Sequence, residues 1–324
     1  MNKALLQTLH LNIGYKSHVV QADLCLSLQE GQMVCMLGKN GCGKSTLLRT
    51  LAGLQPPLAG SVLMRGEDSN SITMRQRAQL FSLVLTDRID NSNMTVWDVV
   101  SLGRFPHNNW LGQLSVSDQQ FVEEAIKKVK LEDKAYSYIH CLSDGERQRA
   151  MIARALAQDT PLILMDEPTA HLDLPNRVDT MLLLRELAHA THKTILLSTH
   201  ELDLALQTAD QIWLMSPQEG VITGIPEDLV LEGAFQKAFQ ADSFIFNPAN
   251  GNFSVSYNTH KPLHIHGDRT RTYWTVRALA RMGYMGVEQA DNDVEILPDG
   301  WMLNGHIFCH SIEELSARLQ TIFS

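Results

Sequence analysis

The sequence predicts an α/β fold with a mostly parallel central sheet, an antiparallel β subdomain, a helical subdomain and a small C-terminal α/β appendage. Three observations support this prediction. A strand, a glycine-rich loop and a helix follow one another near residues 33–53, strands alternate with helices up to residue 231, and a linker-like stretch occupies residues 246–252. Strands that alternate with helices are typical of parallel sheets, because a parallel crossover needs a long connection.

The hydrophobic pattern places the elements in order along the chain. Strands are predicted near residues 5–13, 20–27, 33–37, 61–64, 80–85, 161–165, 194–198, 211–215 and 220–223. Helices are predicted near residues 44–53, 95–103, 117–130, 144–157, 175–191, 201–208, 227–231 and 234–240. The early strand-rich part predicts the antiparallel subdomain, and the block of about 90–157 predicts a helical arm.

A glycine-rich motif follows the strand near residues 33–37. Gly38 to Ser45 reads G-x-x-x-x-G-K-S, and a leucine-rich helix comes directly after it. Glycines let backbone N–H groups close around a phosphate, and the helix N-terminus adds partial positive charge. Strand, loop and helix in this order indicate the P-loop of an NTPase. Lys44 is then expected to neutralise the β- and γ-phosphates of ATP, and Ser45 to ligate Mg²⁺. The predicted nucleotide-binding residues of the loop are Gly38, Lys39, Asn40, Gly41, Cys42, Gly43, Lys44, Ser45 and Thr46.

Two further strands end in candidate catalytic residues. The apolar run near 161–165 ends at Asp166 and Glu167, and the run near 194–198 precedes His200. Ligands of open α/β sheets bind at the carboxyl ends of the strands. Asp166 is placed to hold Mg²⁺, and Glu167 to polarise an attacking water. One predicted helix separates the two strands, so that His200 is expected beside the same phosphate site.

The helix near residues 144–157 begins with the sequence Ser143-Asp144-Gly145-Glu146, which has the pattern of a capping box. The simplest interpretation is a well-capped helix. Its free N–H groups also make a second potential phosphate site, although one chain does not need two such sites for one nucleotide. Two chains packed head to tail would each complete the other's pocket.

Together these segments resemble the nucleotide-binding subunit of an ABC transporter. GKNGCGKST, LSDGERQR, LILMDEPT, HLD and STH occur in the order and spacing of that family, over residues 1 to about 240. MTVWDVVSLGRFPH and TAHLDL are similar to the ATPases of importers for iron siderophores, haem and cobalamin. The resemblance implies that two copies of the chain bind and hydrolyse two Mg-ATP and thereby drive a transmembrane permease. A substrate-binding protein is expected to deliver the cargo to this permease. It also implies a peripheral location on the cytoplasmic face of the inner membrane.

The resemblance assigns roles to individual residues. Tyr15 matches the aromatic residue that stacks on adenine, Glu167 the catalytic base, and His200 the switch residue that contacts the γ-phosphate. Asp173 matches the loop that communicates across the dimer. The trans signature, which would meet the partner's nucleotide, comprises Ser143, Asp144, Gly145 and Glu146.

The signature departs from the family's usual LSGGQ, because Asp144 replaces a glycine and Glu146 a glutamine. The carboxylate of Glu146 preserves the capping box but adds negative charge near a γ-phosphate. Weaker trans binding is therefore expected unless Arg147 or Arg149 compensates for this charge.

A second departure lies at the end of the strand near 80–85. The family has a glutamine there that touches Mg²⁺ and the attacking water, whereas this chain has Thr86 followed by Asp87. We expect Thr86 or Asp87 to take the metal-side role. The loop of residues 86–93 is expected, by the same resemblance, to contact the permease.

The domain prediction is a nucleotide-binding domain at 1–245 and an accessory or regulatory α/β domain at 253–324. The second segment is predicted to have the element order β, α, β, β, β, α, with strand patterns near residues 293–297 and 301–309. Five of the 13 histidines lie in the second segment: His260, His264, His266, His306 and His310. His264 and His266 share one face of a strand, which leaves metal sensing open. The lack of zinc-site spacing favours a regulatory or dimer-stabilising module.

Composition narrows the function classes. The 324 residues are 44% hydrophobic and 19% charged, with a net charge of -9 and a pI near 5.8. An acidic chain lacks the basic surface of a general nucleic-acid binder, so no nucleic-acid partner is expected. Five dispersed cysteines without a CxxC pair indicate a reducing compartment. Neither a signal peptide nor a membrane-spanning apolar stretch is recognised.

Three alternatives remain open at this level. The chain could be a soluble ABC ATPase that acts on ribosomes or DNA, although its single cassette and acidic pI disfavour this. It could be an importer ATPase for a different metal or metal chelate. A regulatory protein that no longer hydrolyses ATP is disfavoured, because Lys44, Asp166, Glu167 and His200 are all present.

Overall fold

The computed structural model describes residues 4–16, 18–85, 93–107, 113–217, 219–239, 244–248 and 251–323. Thr86, Asp87 and nearly all of the loop that was expected to contact the permease lie outside the described residues. The chain divides into two compact units, the first comprising Met1–Gln240 with Phe246–Asn252 and the second Ala241–Ile245 with Phe253–Ser324.

The first unit contains two sheets and a group of helices. Its strands are β1 (Leu6–Tyr15), β2 (His18–Leu24), β3 (Ser27–Leu28), β4 (Met33–Gly38), β5 (Ala59–Met64), β6 (Glu67–Asp68), β7 (Phe81–Val84), β8 (Leu162–Asp166), β9 (Thr194–Ser198), β10 (Gln211–Ser216) and β11 (Gly220–Gly224). Its helices are α1 (Lys44–Leu51), α2 (Met74–Leu80), α3 (Val96–Ser101), α4 (Val116–Lys128), α5 (Asp144–Ala157), α6 (Leu174–Thr191), α7 (Leu202–Thr208), α8 (Pro226–Leu231) and α9 (Ala234–Phe239). Within the described part of this unit, three short 3₁₀ helices span Leu102–Arg104, Glu132–Lys134 and Ile139–Cys141.

The central sheet has the strand order β11-β10-β4-β9-β8-β7. All neighbouring strands are parallel except β10 and β11, which form an antiparallel edge pair. The second sheet, in the order β2-β1-β5-β6 with β3 also paired to β1, is antiparallel. The predicted α/β class, with a mostly parallel sheet and an antiparallel subdomain, is therefore confirmed.

Strands β4, β8 and β9 are buried along their whole length, which explains their nearly continuous apolar sequences. Their register aligns Met36 with Ser198 and Ser198 with Asp166. The ends of the three strands consequently meet at one edge of the sheet, where α1 begins. The residues at the strand ends that were predicted to be catalytic or to bind ligands therefore lie at this edge.

The helical arm is held together by a buried ion pair. Arg104 Nε donates to Asp118 Oδ1 at 2.8 Å, and Arg104 also donates to the carbonyl oxygen of Ala157 at 2.7 Å. These contacts join the segment after α3 to α4 and α5. A hydrogen bond from the Ser115 hydroxyl, reinforced by Arg104, lowers the pKa of Asp118 below its usual range. The pair remains charged at neutral pH and fixes the arm that carries the start of α5.

The second unit is a five-stranded sheet with two helices. After the paired strands β12 (Phe244–Asn247) and β13 (Asn252–Val255) come β14 (Lys261–Gly267), α10 (Arg269–Ala280), β15 (Tyr284–Val287), β16 (Asp293–Leu297), β17 (Gly300–Leu303), β18 (Ile307–Cys309) and α11 (Ile312–Phe323). The sheet order is β15-β14-β16-β17-β18.

The predicted element order has three strands between the two helices of this unit. This number is wrong, because the structure has four, β15 to β18. The stretch of residues 301–309 is not one strand, since Asn304 and Gly305 adopt positive φ angles of 52° and 71° and turn the chain back on itself. Asparagine and glycine tolerate this conformation, and Asn-Gly between apolar runs is a hairpin signal. The sequence contained this signal.

Candidate active site

The P-loop joins β4 to α1. Gly38 and Gly43 have φ angles of 157° and 106°, and a Cβ at Gly43 would come within 2.8 Å of the Val20 side chain. Glycine is required at both positions by conformation and space. Lys44 is only 6% exposed, and its Nζ donates to the carbonyl oxygen of Gly38 at 2.8 Å. The ammonium group is therefore held against the loop, where phosphate oxygens would be neutralised.

Ser45 and Asp166 lie together at the edge of the central sheet. The Ser45 hydroxyl donates to Asp166 Oδ1 at 3.1 Å, and the Ser198 hydroxyl donates to the same oxygen at 2.6 Å. The two residues predicted to hold Mg²⁺ are therefore adjacent. Their hydroxyl and carboxylate oxygens are hard donors of the kind that Mg²⁺ prefers, so this pair fits the ion.

Glu167 and His200 form the second pair at this edge. His200 Nε2 lies 2.7 Å from Glu167 Oε1. Glu167 has a φ angle of 49°, an uncommon conformation for a residue with a side chain. Its backbone N–H donates to the hydroxyl oxygen of Ser198 at 2.9 Å. Such local strain is typical of functional sites, and here it accompanies a carboxylate positioned beside an imidazole.

Tyr15 lies at the end of β1, close to the start of α1. Its hydroxyl is 3.1 Å from Thr46 Oγ1, while about half of the residue (51%) remains exposed. The structure thus brings Tyr15 to the P-loop helix and leaves aromatic surface accessible to a nucleotide base.

Helix α5 begins with the predicted capping box. Ser143 Oγ accepts from the N–H of Glu146 at 3.3 Å, and Glu146 Oε2 accepts from the N–H of Ser143 at 2.9 Å. Glu146 Oε1 also accepts a hydrogen bond from Lys134 Nζ. The Lys134 ammonium lowers the pKa of Glu146 to about 2, with a further contribution from the Ser143 N–H. The carboxylate of Glu146 is consequently ionised throughout the physiological pH range.

The cation that neutralises Glu146 differs from those expected. Arg147 instead donates to Asp144 Oδ1 at 3.2 Å and to the carbonyl oxygen of Leu142 at 3.0 Å. Lys134, which was not expected from the sequence, therefore supplies a cation to Glu146, whereas Arg147 pairs with Asp144. Lys134 lies on a 3₁₀ helix before α5, and no helical or strand periodicity links it to Glu146.

Asp173 caps helix α6 next to the start of α5. Its Oδ1 accepts from the backbone N–H of Asn176 at 3.2 Å and from the Asn176 side-chain amide at 2.6 Å. A Cβ at Gly145 would come within 2.6 Å of Asn176 Oδ1. A side chain at position 145 would therefore displace the Asn176 amide, which lies between the signature residue Gly145 and the Asp173 carboxylate within one chain.

Sequence reasoning missed Ser198, Lys134 and Asn176. Ser198 carried a usable signal, because it is a polar residue at the end of an otherwise apolar buried strand and directly precedes the Thr199-His200 pair. Lys134 and Asn176 carried none, since their roles depend on how 3₁₀ segments and helix ends pack.

The site is that of a P-loop nucleoside triphosphatase. It combines a P-loop lysine, a serine–aspartate pair and a glutamate–histidine pair at one edge of the sheet. Residues 22–170 match the family model for the ABC transporter, and residues 260–320 match that for the iron ABC transporter C-terminal domain. The chain is 37% identical over 239 residues to the probable siderophore transport system ATP-binding protein YusV of Bacillus subtilis, a match that covers 74% of this chain and 87% of that protein.

Solved structures agree with this relationship. An inward-facing conformation of a proposed metal-chelate type ABC transporter superposes with a TM-score of 0.66 at 28% identity, covering 79% of this chain and 98% of that one. A dimeric bacterial ABC transporter cassette superposes with a TM-score of 0.58 at 25% identity, covering 68% and 98%. The chain belongs to the ATP-binding proteins of ABC transporters and is an ATPase of that family. The predicted family and enzyme class are confirmed.

None of the helices in the described ranges combines the length and the apolar character needed to cross a bilayer.

Proposed function

We propose that this chain is the ATPase subunit of an importer for an iron chelate. The observation that supports hydrolysis most directly is the contact of 2.7 Å between His200 Nε2 and Glu167 Oε1, at the sheet edge that also carries Lys44. The iron class is supported by the match of residues 260–320 to the iron ABC transporter C-terminal domain and by the siderophore-transport relative.

The reaction is the hydrolysis of ATP to ADP and phosphate. Water attacks the γ-phosphorus as the bond to the bridging oxygen of the β-phosphate breaks, and Glu167 accepts the proton that the water loses. His200 holds the Glu167 carboxylate and lies in reach of the γ-phosphate. Lys44 offsets the phosphate charge, and Tyr15 stacks on the adenine. Ser45 and Asp166 would hold Mg²⁺, which would supply positive charge to offset that of the phosphate oxygens.

The site is completed by a second copy of the chain. The N-terminus of α5 presents Ser143, Asp144 and Gly145, which would meet the γ-phosphate bound by the partner. The contact of Gly145 with Asn176, which binds Asp173, supports a role for Asp173 in relaying closure of one site to the other. Two chains would close on two ATP and move a transmembrane permease, with cargo delivered to the permease by a substrate-binding protein. The chain would then act from the cytoplasmic face of the membrane as a peripheral subunit.

Replacing Ser198 by alanine is expected to lower kcat for ATP hydrolysis by about 10-fold, with a smaller change in KM. The hydroxyl orients both the Asp166 carboxylate and the Glu167 N–H, and leaving a buried partner unsatisfied costs about 1–3 kcal/mol. Steady-state kinetics with Mg-ATP measures the effect. Ser82→Ala is the matched control, because Ser82 is equally buried in the same sheet and its hydroxyl makes no hydrogen bond within the described residues. Equal kinetics for the two variants would contradict the role of Ser198.

Replacing Lys134 by methionine is expected to raise KM for ATP by up to about fivefold, the factor that corresponds to the upper end of the ~0.2–1 kcal/mol typical of a partly exposed ion pair. The reason is that the ionised Glu146 carboxylate would then face the partner's γ-phosphate without its cation. The double variant Lys134→Met/Glu146→Gln is expected to restore KM, because it removes the carboxylate charge as well. A double variant as impaired as Lys134→Met alone would contradict this account and leave Glu146 only a helix cap.

The cargo is tested by reconstitution. The chain is co-expressed with its permease, placed in proteoliposomes with ATP, and assayed for uptake of labelled ferric siderophore, haem and cobalamin delivered by the matching binding protein. ATP-dependent uptake of a ferric siderophore or haem, lost with Glu167→Gln, is the expected result. Uptake of cobalamin alone would overturn the iron class and preserve the ATPase assignment. Hydrolysis without uptake of any cargo would overturn the transport function.

A further inference from the structure

The second unit carries a cluster of metal-binding side chains on one face of its sheet. His264 and His266 are two residues apart on β14 and therefore share one face of the strand. Asp293 is the first residue of β16 and the register partner of His264. His264 Nδ1 and His266 Nε2 each lie 3.1 Å from Asp293 Oδ1. The imidazole rings are 4.8 Å apart between centroids. One nitrogen from each ring and one carboxylate oxygen therefore converge within 4.8 Å of one another.

The alternation of the strands separates this cluster from the apolar core. Leu263 and Val294, the sequence neighbours of His264 and Asp293, are buried in the core formed with helices α10 and α11, as is Ile296 further along β16. Successive side chains of a strand point to opposite faces, so the three donors lie on the face away from those helices. Each donor residue is partly exposed, which leaves the cluster accessible to an ion from solvent.

The backbone around the cluster is fixed by hydrogen bonds that do not use the donor side chains. Asp293 N–H donates to Asn304 Oδ1 at 2.8 Å, and Asn304 N–H donates to the carbonyl oxygen of Asp293 at 2.8 Å. His264 N–H donates to the carbonyl oxygen of Asn292 at 3.0 Å. The Asn304 side chain also donates to Asn292 Oδ1 at 3.0 Å. Both strands are thus held in register where the donors project.

We propose that His264, His266 and Asp293 bind a divalent first-row transition-metal ion, such as Zn²⁺ or Fe²⁺. Two imidazole nitrogens and one carboxylate oxygen favour such ions over Mg²⁺ or Ca²⁺, which prefer oxygen donors alone. Bonds of about 2.0–2.2 Å to nitrogen and oxygen place neighbouring ligand atoms about 3–3.5 Å apart. The two contacts of 3.1 Å fall in this range. Three protein donors leave further coordination positions open to water or another ligand.

Two ring N–H groups donating to one carboxylate oxygen would give the same distances without an ion, so the test must separate metal binding from an ion pair. A second cluster of the chain, His10, Asp23 and Cys25, supplies the control. It also contains three donor groups within 4.8 Å, but all three residues are exposed. His10→Ala removes a ligand of that cluster and leaves the proposed site intact.

The experiment uses the full chain without nucleotide or Mg²⁺. Binding of Zn²⁺ is measured by calorimetry, and binding of Co²⁺ by its visible absorption, for the wild type, His264→Ala/His266→Ala, Asp293→Asn and His10→Ala. The wild type and His10→Ala are expected to bind one ion per chain at the proposed site, with nitrogen-ligand absorption bands for Co²⁺. The double variant is expected to lose at least about 100-fold in affinity and Asp293→Asn at least about 10-fold, because changing an outer-shell partner alone typically costs about 10–100-fold and these variants change the ligands themselves.

Unchanged affinity and stoichiometry in His264→Ala/His266→Ala would overturn the proposal, as would loss of the ion in His10→Ala alone. A second measurement on the wild type is independent of any folding defect in the variants. Modification by diethyl pyrocarbonate, mapped by mass spectrometry, is expected to slow at least tenfold at His264 and His266 when Zn²⁺ is added, and to stay unchanged at His306. Equal modification of His264 and His266 with and without Zn²⁺ would also overturn the proposal.

Discussion

Replacing Glu167 by glutamine is expected to lower the rate of ATP hydrolysis by about 10²–10⁴-fold, the contribution typical of a positioned general base. The amide keeps the size of the side chain and its reach toward His200 Nε2, but it cannot accept a proton from water. Because Lys44, Ser45 and Asp166 are untouched, binding of Mg-ATP is expected to persist. Single-turnover hydrolysis and equilibrium binding of a fluorescent ATP analogue measure the two properties separately.

Glu201→Gln is the control for this prediction. Glu201 follows His200 directly, yet its carboxylate pairs with Arg177 Nη1 at 2.7 Å rather than with the imidazole. Its replacement is expected to change hydrolysis by less than about fivefold, as for a partly exposed ion pair. A Glu167→Gln variant that hydrolyses ATP as fast as Glu201→Gln would show that another group accepts the proton.

Replacing Lys44 by alanine is expected to weaken ATP binding by at least about 30–150-fold, which corresponds to the ~2–3 kcal/mol of charge-assisted hydrogen bonds to phosphate. The ammonium group is buried and held at 2.8 Å from the carbonyl oxygen of Gly38, so its loss also disturbs the loop. Titration with radiolabelled ATP gives the affinity.

Arg49→Ala is the matched control for Lys44→Ala. Arg49 lies on the same helix, α1, with an exposed side chain, and its removal tests whether the loss of any positive charge near the loop suffices. ATP affinity within about twofold of the wild type is expected for Arg49→Ala. Equal weakening by the two substitutions would mean that long-range charge, rather than contact with phosphate, explains the effect.

The sequence predicted the P-loop and the strand-end residues because their chemistry is local. Gly38, Gly43 and Lys44 act within one strand, loop and helix, and buried parallel strands bring Asp166, Glu167 and His200 to one edge by topology alone. The long apolar strands and capped helices were readable for the same reason, since each is set by periodicity and end signals within its own segment.

Other parts depended on packing that periodicity does not encode. The Lys134–Glu146 ion pair joins a 3₁₀ helix to the start of α5, and sequence distance gave arginines of α5 as the nearer candidates. Ser198 acts through two hydrogen bonds that exist only once β8 and β9 are aligned. Likewise, His264 and His266 were visible as a pair on one strand, but their partner Asp293 emerges only from the register of β14 with β16.

The most direct test of the central claim, that two copies of this chain close on Mg-ATP, is the oligomeric state of the Glu167→Gln variant. Sedimentation velocity is expected to show monomers without nucleotide or with Mg-ADP, and dimers with Mg-ATP. Adding Ser143→Arg, which places a bulky side chain at the trans signature, is expected to abolish the dimer while ATP binding to each chain persists. A Glu167→Gln chain that binds Mg-ATP stoichiometrically yet stays monomeric at tens of micromolar protein would contradict the claim.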